Sequence, residues 1–384
     1  MAFARRGAGA RADFAALASQ VHPVFMLPPL AASVFGAVLA GRFALAPLAL
    51  HALAAFFAVY TAHVKDGYVD FYARGEDDDH PMTAAGCRRA LAGATLGFVA
   101  VAGALGVVAS PATAALAVPM WLLGFLHAPQ FDTNPVTTTL GYPLGIAVAI
   151  VGGHHAQTGS LAAEPLAFGL VFCVTLAGVK VIDDSTDYEY DRSIGKQTVA
   201  VALGREGARR LAYALVYTGF ALVVVLAVDG LAPASAPAAA LAFGVVATYA
   251  ARAEAELATM LLIRGAYVFL ALLVVAVWFR PLAGVPLPDI GVLGPYTYLA
   301  TELAFGALAA GLLVRAGAVW RALRTVLVLY PLAFVWDWYT LEVGVFAIPL
   351  RTGAELAGIP IEEHLFMLVV PALVVGIHET LESV

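Results

Sequence analysis

The chain has 384 residues, of which 61% are hydrophobic and 12% charged, with a mean hydropathy of +0.86 and a net charge of -6. A soluble domain carries roughly twice that charged share, so the composition excludes soluble classes and points to an all-α integral membrane protein; no nucleic-acid partner is expected. The two cysteines, Cys87 in an inner loop and Cys173 within a span, imply neither a disulfide nor a zinc framework.

Apolar runs of about 17 to 25 residues, the length a bilayer core demands, recur along the chain. Spans are expected near 22–40, 43–63, 90–108, 112–127, 138–155, 164–182, 208–228, 231–251 and 256–280. Three more follow near 293–314, 323–341 and 361–378, separated from the rest by a Pro/Gly-rich linker over 281–294. With the N terminus inside, Arg5, Arg6, Arg11, Lys65, Arg74, Lys180, Arg192, Lys196 and most other cations fall on the cytoplasmic side, leaving Arg42, Arg280 and Arg351 outside. The Arg5–Arg6 pair has no apolar core directly behind it, so no cleaved signal is expected.

Two polar loops, 64–89 and 180–210, then lie on the same side. The first reads HVKDGYVDFYARGEDDDHPMT, with Asp66 and Asp70 four apart and Glu76 to Asp79 close behind. The second reads KVIDDSTDYEYDRSIGKQTVAVAL, with Asp183, Asp187 and Asp191 at spacing four. Residues i and i+4 share a helix face, so a continuous helix makes these acids a ladder. Stacked carboxylates suit a hard cation such as Mg2+, which binds a few acids together with substrate phosphates. Lys65, Arg74, Lys180, Arg192 and Lys196 suit the phosphate groups themselves. Two opposed ladders would grip a diphosphate, and the alternative is a solvated acidic loop. His127, Asp132 and Asn134 either cap the cavity or cap a helix, and His154–His155 reads as a solvated pair at the outer interface.

The C-terminal spans carry VWDWYTLEVGVFAIPL (335–350) and GIPIEEHLFMLVVP (358–371). Asp337, Glu342, Glu362 and Glu363 gather towards one depth, with Glu302 about halfway along its span. Acids there are costly unless functional or paired. Either they form a protonated acid in a dry cleft, or Glu362 and Glu363 favour the N-terminal end of a helix.

On these residues the stretch 15–280 resembles the UbiA family of intramembrane prenyltransferases: a nine-span layout, His22–Pro23 opening the first span, and paired acidic motifs. The second motif follows the family pattern through Asp183, Asp187 and Asp191, whereas the first has Asp66, Asp70 and Arg74 where an Asn and two acids are usual. The resemblance implies a nine-helix bundle, Mg2+ held by Asp66, Asp70, Asp183, Asp187 and Asp191, and diphosphate bound by the five cations. It implies ionisation of an allylic diphosphate, with Glu76 to Asp79 supplying the missing acid or Arg74 touching the diphosphate.

Residues 295–380 resemble one repeat of the heterodimer-type lycopene cyclases, through PIEEHLF (360–366) and the aromatic-Asp segment around Asp337. That implies Glu362 and Glu363 as an acid pair, Asp337 as an assisting acid, and a second cyclase subunit or self-association as partner. A cyclase half shares its substrate pool with UbiA relatives that resemble lycopene elongases. The fusion therefore implies a multi-pass cell-membrane enzyme adding dimethylallyl groups from dimethylallyl diphosphate to lycopene. The alternatives are an aromatic acceptor, as in quinone, haem or chlorophyll pathways, or a non-catalytic carotenoid-binding scaffold.

Overall fold

The computed structural model describes residues 3–285 and 289–382, so residues 286–288 of the expected linker lie outside the described residues. Among these, nine helices are long and apolar enough to cross a membrane, or up to ten if a pair bent by 67° is one span, and two shorter apolar helices accompany them. The chain is a multi-pass membrane protein. It divides into two compact units, Met1–Ala283 and Gly284–Val384.

The first unit begins with α1 (Ala10–Ala18) and α2 (Pro23–Leu39), the bent pair, followed by α3 (Leu45–Tyr68), α4 (Ala84–Val108) and α5 (Pro111–Leu126). After these come α6 (Pro135–Thr158), α7 (Ala163–Thr186), the short α8 (Tyr188–Ser193), α9 (Val199–Val228), α10 (Pro237–Ala250) and α11 (Ala255–Phe279). Pro23, Pro111, Pro135 and Pro237 open their helices, where a missing N–H costs nothing. Thr83, Ser110, Asn134 and Thr198 close the N-termini of α4, α5, α6 and α9 with side-chain hydrogen bonds.

Two helix boundaries depart from the sequence expectation. The helix expected to end near residue 63 continues through α3 and a π-helical turn over Val69–Arg74, and α9 starts at Val199, bending at Gly204 (φ 73°). Hydropathy marks only the lipid-facing length, whereas a helix that emerges into a polar layer keeps winding. Cys87, expected in a loop, is buried in the first turns of α4 because Thr83 starts the helix ahead of it. His154 and His155 are also buried, not solvated: Thr113 Oγ1 meets His155 Nδ1 at 2.8 Å, and Gln157 ties the end of α6 to Ala44.

In lipid, helices associate through close packing of small residues. A methyl placed on Gly36 (α2) would overlap the backbone of Ile150 and His154, and one on Gly153 (α6) would overlap Ser33. Gly124 meets Ala58 and Gly178 meets Ala212 in the same way at α5–α3 and α7–α9. A run of rings then joins five helices: Phe35–Phe172 at 6.0 Å, Phe172–Phe269 at 5.4 Å, Phe269–Phe220 at 5.9 Å and Phe220–Phe243 at 5.2 Å. Helices α2, α6, α7 and α11 pack one on the next and close a ring.

The second unit holds a 3-10 segment (Ile290–Tyr296), α12 (Thr297–Arg315), α13 (Val319–Glu342), a hairpin of β1 (Glu355–Leu356) and β2 (Ile359–Pro360), and α14 (Ile361–Glu382). The hairpin turns on Ala357 and Gly358, both with positive φ, the backbone a tight two-residue turn needs. Helix α14 packs on both α12 and α13, while α13 turns Trp320, Leu332, Trp336 and Tyr339 outward.

Gly36→Leu should cost about 1–3 kcal/mol through overpacking, read as an earlier unfolding transition in detergent. Gly103→Ala, where nothing lies within 4 Å of an added methyl, should unfold with the parent chain.

Candidate active site

Helix α3 and its π turn deliver Lys65, Asp66, Asp70 and Arg74 to one end of the first unit. Arg74 lies among three carboxylates: Asp132 at 2.8 Å, Asp70 at 3.4 Å and Glu76 at 3.5 Å. Asp66, Glu76 and Asp77 all press electrostatically on Asp70. Of the acids following the first motif, Glu76 therefore joins it, whereas Asp79 turns to Arg5 and Arg6, both at 3.1 Å. Lys65 is engaged elsewhere, bonded to the Phe125 carbonyl and to Gln130 Oε1 at 2.8 Å, above the Phe125 ring.

The second motif is not one continuous ladder. Helix α7 ends at Thr186, Asp187 leaves helical geometry (φ -97°, ψ 15°), and α8 resumes at Tyr188. Within the last turns of α7, Lys180 reaches Asp183 at 3.2 Å and bonds Asp184, the i,i+3 and i,i+4 pairs a regular helix brings together. Asp187 and Arg192 are exposed, whereas Asp191 is 1% exposed and faces Lys196 at 3.4 Å. Burial pushes the Asp191 carboxyl above its ordinary range, and Lys196 only partly offsets this. Burial works against the charge of Lys196 too, but Asp191, Asp132 and Asp184 outweigh it and raise that ammonium above its usual value.

The two motifs meet through Asp132. Its carboxylate takes Arg74, and its carbonyl accepts the Gln197 N–H at 3.0 Å. Asn134 caps α6, which leaves Asp132 free for this bridge. Tyr190 lies close to these acids, and burial, then Glu76, Asp70 and Asp77, lift its phenol above the ordinary range. Asp132 and Asp184 are the residues the spacing rule missed, although Lys180–Asp184 is itself an i,i+4 pair that charge patterning reveals.

Among the described residues no three acids, histidines or cysteines converge on a metal position. The donor set still fits a hard divalent cation. It is all carboxylate, its acids crowd one another around Asp70, and the buried Oδ2 atoms of Asp184 and Asp191 have no hydrogen-bond partner.

Beneath this mouth, the ring of α2, α6, α7 and α11 surrounds a cavity partly open to the outside, lined by Phe25, Tyr142, Phe172 and Tyr267 and reached by Lys180 and Asp183. Its wall has a covalent cause. Pro28 and Pro29 have no N–H for the carbonyls of Val24 and Phe25, and an orphan carbonyl in an apolar wall is costly. The Tyr267 hydroxyl bonds Val24 O and the Tyr142 hydroxyl donates to Phe25 O at 3.2 Å. The cavity is thus apolar apart from the charged residues at its mouth.

In the second unit, Glu302 (α12), Asp337 (α13) and Glu363 (α14) gather from three helices, Glu363 lying within electrostatic reach of the other two. Glu302 lies in the second turn of α12, about halfway along the Gly291–Arg315 span, and Glu342 is exposed. Glu362, 2% exposed, turns away from Asp337 and Glu363: its Oε1 accepts Thr352 N at 2.7 Å and Thr352 Oγ1 at 2.6 Å. Tyr330 donates to His364 Nδ1 at 2.7 Å while His364 Nε2 donates to Leu356 O at 2.8 Å, fastening the hairpin over α13 and α14.

No protein-family model and no curated protein sequence matches the chain. The fold is similar to solved structures. A structure of digeranylgeranylglyceryl phosphate synthase matches with a TM-score of 0.54 at 13% identity, over 69% of this chain and 99% of the other. A UbiA homologue from Archaeoglobus fulgidus bound to GPP and Mg2+ matches with a TM-score of 0.53 at 16% identity, over 68% and 99%. An apo UbiA homologue from Aeropyrum pernix K1 matches at 0.53 and 20%, over 66% and 97%. The chain therefore has a UbiA-like all-α membrane fold.

Lys196→Met should destabilise the protein by about 1–3 kcal/mol, because it strands a buried carboxylate. Adding Asp191→Asn should recover most of that loss in denaturant unfolding, whereas additive losses would mean the pair is not coupled.

Proposed function

We propose that the chain is a bifunctional carotenoid-biosynthesis enzyme. Its first unit is an intramembrane prenyltransferase moving dimethylallyl groups from dimethylallyl diphosphate onto lycopene, and its second is a carotenoid cyclase half. The observation that carries this is the junction of a carboxylate-and-cation mouth with an apolar cavity through Lys180 and Asp183. A molecule with a diphosphate head and a hydrocarbon tail matches both parts.

Asp66, Asp70, Asp183, Asp187 and Asp191 would hold Mg2+, which would supply charge neutralisation for the diphosphate when bound. Lys180, Lys196, Arg74 and Arg192 bind and orient the diphosphate, and Lys65 fixes the loop after α5. Partial burial makes Lys180, Lys196 and Arg74 worth more than in water, unlike the exposed Arg192. The allylic C–O bond breaks and its electron pair leaves with the diphosphate. The cavity walls exclude water from the allylic cation, and the terminal alkene of lycopene supplies the pair for the new C–C bond. The tertiary cation left on the acceptor loses a proton or adds water.

In the second unit, Glu363 is the acid placed to protonate an alkene and Asp337 the group that shares and recovers the proton. Glu362 anchors the segment carrying Thr352. One repeat needs a second cyclase subunit or a second copy, and the outward aromatic residues of α13 supply apolar surface for it. The prenyltransferase mouth faces the cytoplasm by the distribution of cations.

Expressed in a host that accumulates lycopene, the chain should yield carotenoids heavier by one or two five-carbon units. Asp187→Ala, at an exposed position, should abolish them, whereas Glu363→Gln should leave elongation intact. Unchanged lycopene beside well-folded protein would refute the assignment.

A further inference from the structure

A second cavity opens at the other end of the first unit, lined by Glu164, Leu231, Pro233, Ser235, Arg280 and Leu282 among others. Glu164 lies in the first turn of α7, whereas Lys180 and Asp183 lie near its end. At 1.5 Å per residue the cavity is about a bilayer thickness from the acidic mouth and takes no part in its chemistry.

Three features of this cavity point to a ligand. Glu164 and Arg280 act on each other electrostatically, yet among the described residues no ion pair joins them. Ser235 is 8% exposed and its Oγ is buried without a hydrogen-bond partner. Arg280 ends α11 in the left-handed region (φ 45°, ψ 56°), a place where glycine is at ease and other residues are strained. An acid, a base and a free hydroxyl thus line one hollow without satisfying one another.

Depth identifies the source of a matching ligand. Trp278 and Phe279 immediately precede Arg280 and are exposed, and Phe43 packs edge-on to Trp278 at 5.2 Å. Exposed aromatic residues at helix ends mark the headgroup layer. We propose that this cavity binds the headgroup of a primary-amine phospholipid, with Arg280 on the phosphate, Glu164 on the ammonium and Ser235 on a headgroup oxygen. A quaternary ammonium is disfavoured, since it offers no N–H to a carboxylate and, among the described residues, no aromatic ring lines the cavity to receive it. A glycerol headgroup leaves Glu164 without a cation.

The test is thermal unfolding of the purified full chain in detergent with added phosphatidylethanolamine, phosphatidylcholine, phosphatidylglycerol or soluble glycerophosphoethanolamine. At roughly tenfold excess over Kd, phosphatidylethanolamine should raise the transition by about 2–4 °C, with smaller shifts from the others. Glu164→Gln should remove the preference for the amine. Arg280→Gly relieves the backbone strain, so it should unfold no earlier than the parent chain yet lose the lipid response. A response that survives both substitutions, equal shifts from ethanolamine and glycerol lipids, or an equal shift from the soluble headgroup would overturn the proposal.

Discussion

Compensation of charge next to a dry interior is the constraint on which the first unit depends. Lys180 lies at the wall of an apolar cavity and answers two carboxylates, Asp183 and Asp184, while Arg74 answers Asp70, Glu76 and Asp132. A buried charge that loses its partner is strongly destabilising, so these pairs stabilise the end of α7 and the π turn of α3. They also leave the mouth ready to exchange. Each cation held by acids is one a diphosphate can take over, and each acid so released is a ligand for a hard cation. The same side chains thereby hold the free protein together and recognise the substrate proposed for it.

The backbone imposes the second condition. Pro28 and Pro29 deprive α2 of two hydrogen bonds, and the hydroxyls of Tyr142 and Tyr267 make good the loss from α6 and α11. Three of the four helices around the cavity are thus tied by polar contacts within its wall, while Gly36 and Gly153 let α2 and α6 approach closely on the other side. The cavity is kept open by this combination of close crossings and rigid phenol struts, with no charged group below its mouth.

The helices were legible because long apolar windows admit few other structures in a bilayer. Acidic spacing located both motifs, and positive-inside reasoning put them on one side together. What spacing missed came from long-range geometry. Asp132 looked like a helix cap until Asn134 took that role, and Asp184 was hidden by the regular spacing of its neighbours. The Asp183–Asp191 ladder assumed an unbroken helix, and the backbone leaves helical geometry at Asp187. PIEEHLF drew attention to two adjacent glutamates, but residues one apart on a helix face different ways. Only the fold separates Glu363, beside Asp337, from Glu362, bonded to Thr352.

The central claim, that one mouth receives a prenyl diphosphate through exchange of its internal ion pairs, is tested most directly by binding. The purified chain would be titrated with a non-hydrolysable thio-analogue of dimethylallyl diphosphate, with and without Mg2+, alongside Lys180→Met. The account predicts binding that requires Mg2+ and weakens by about tenfold or more, roughly 1.4 kcal/mol, in the variant. Binding that is independent of Mg2+ and unchanged in Lys180→Met would contradict it.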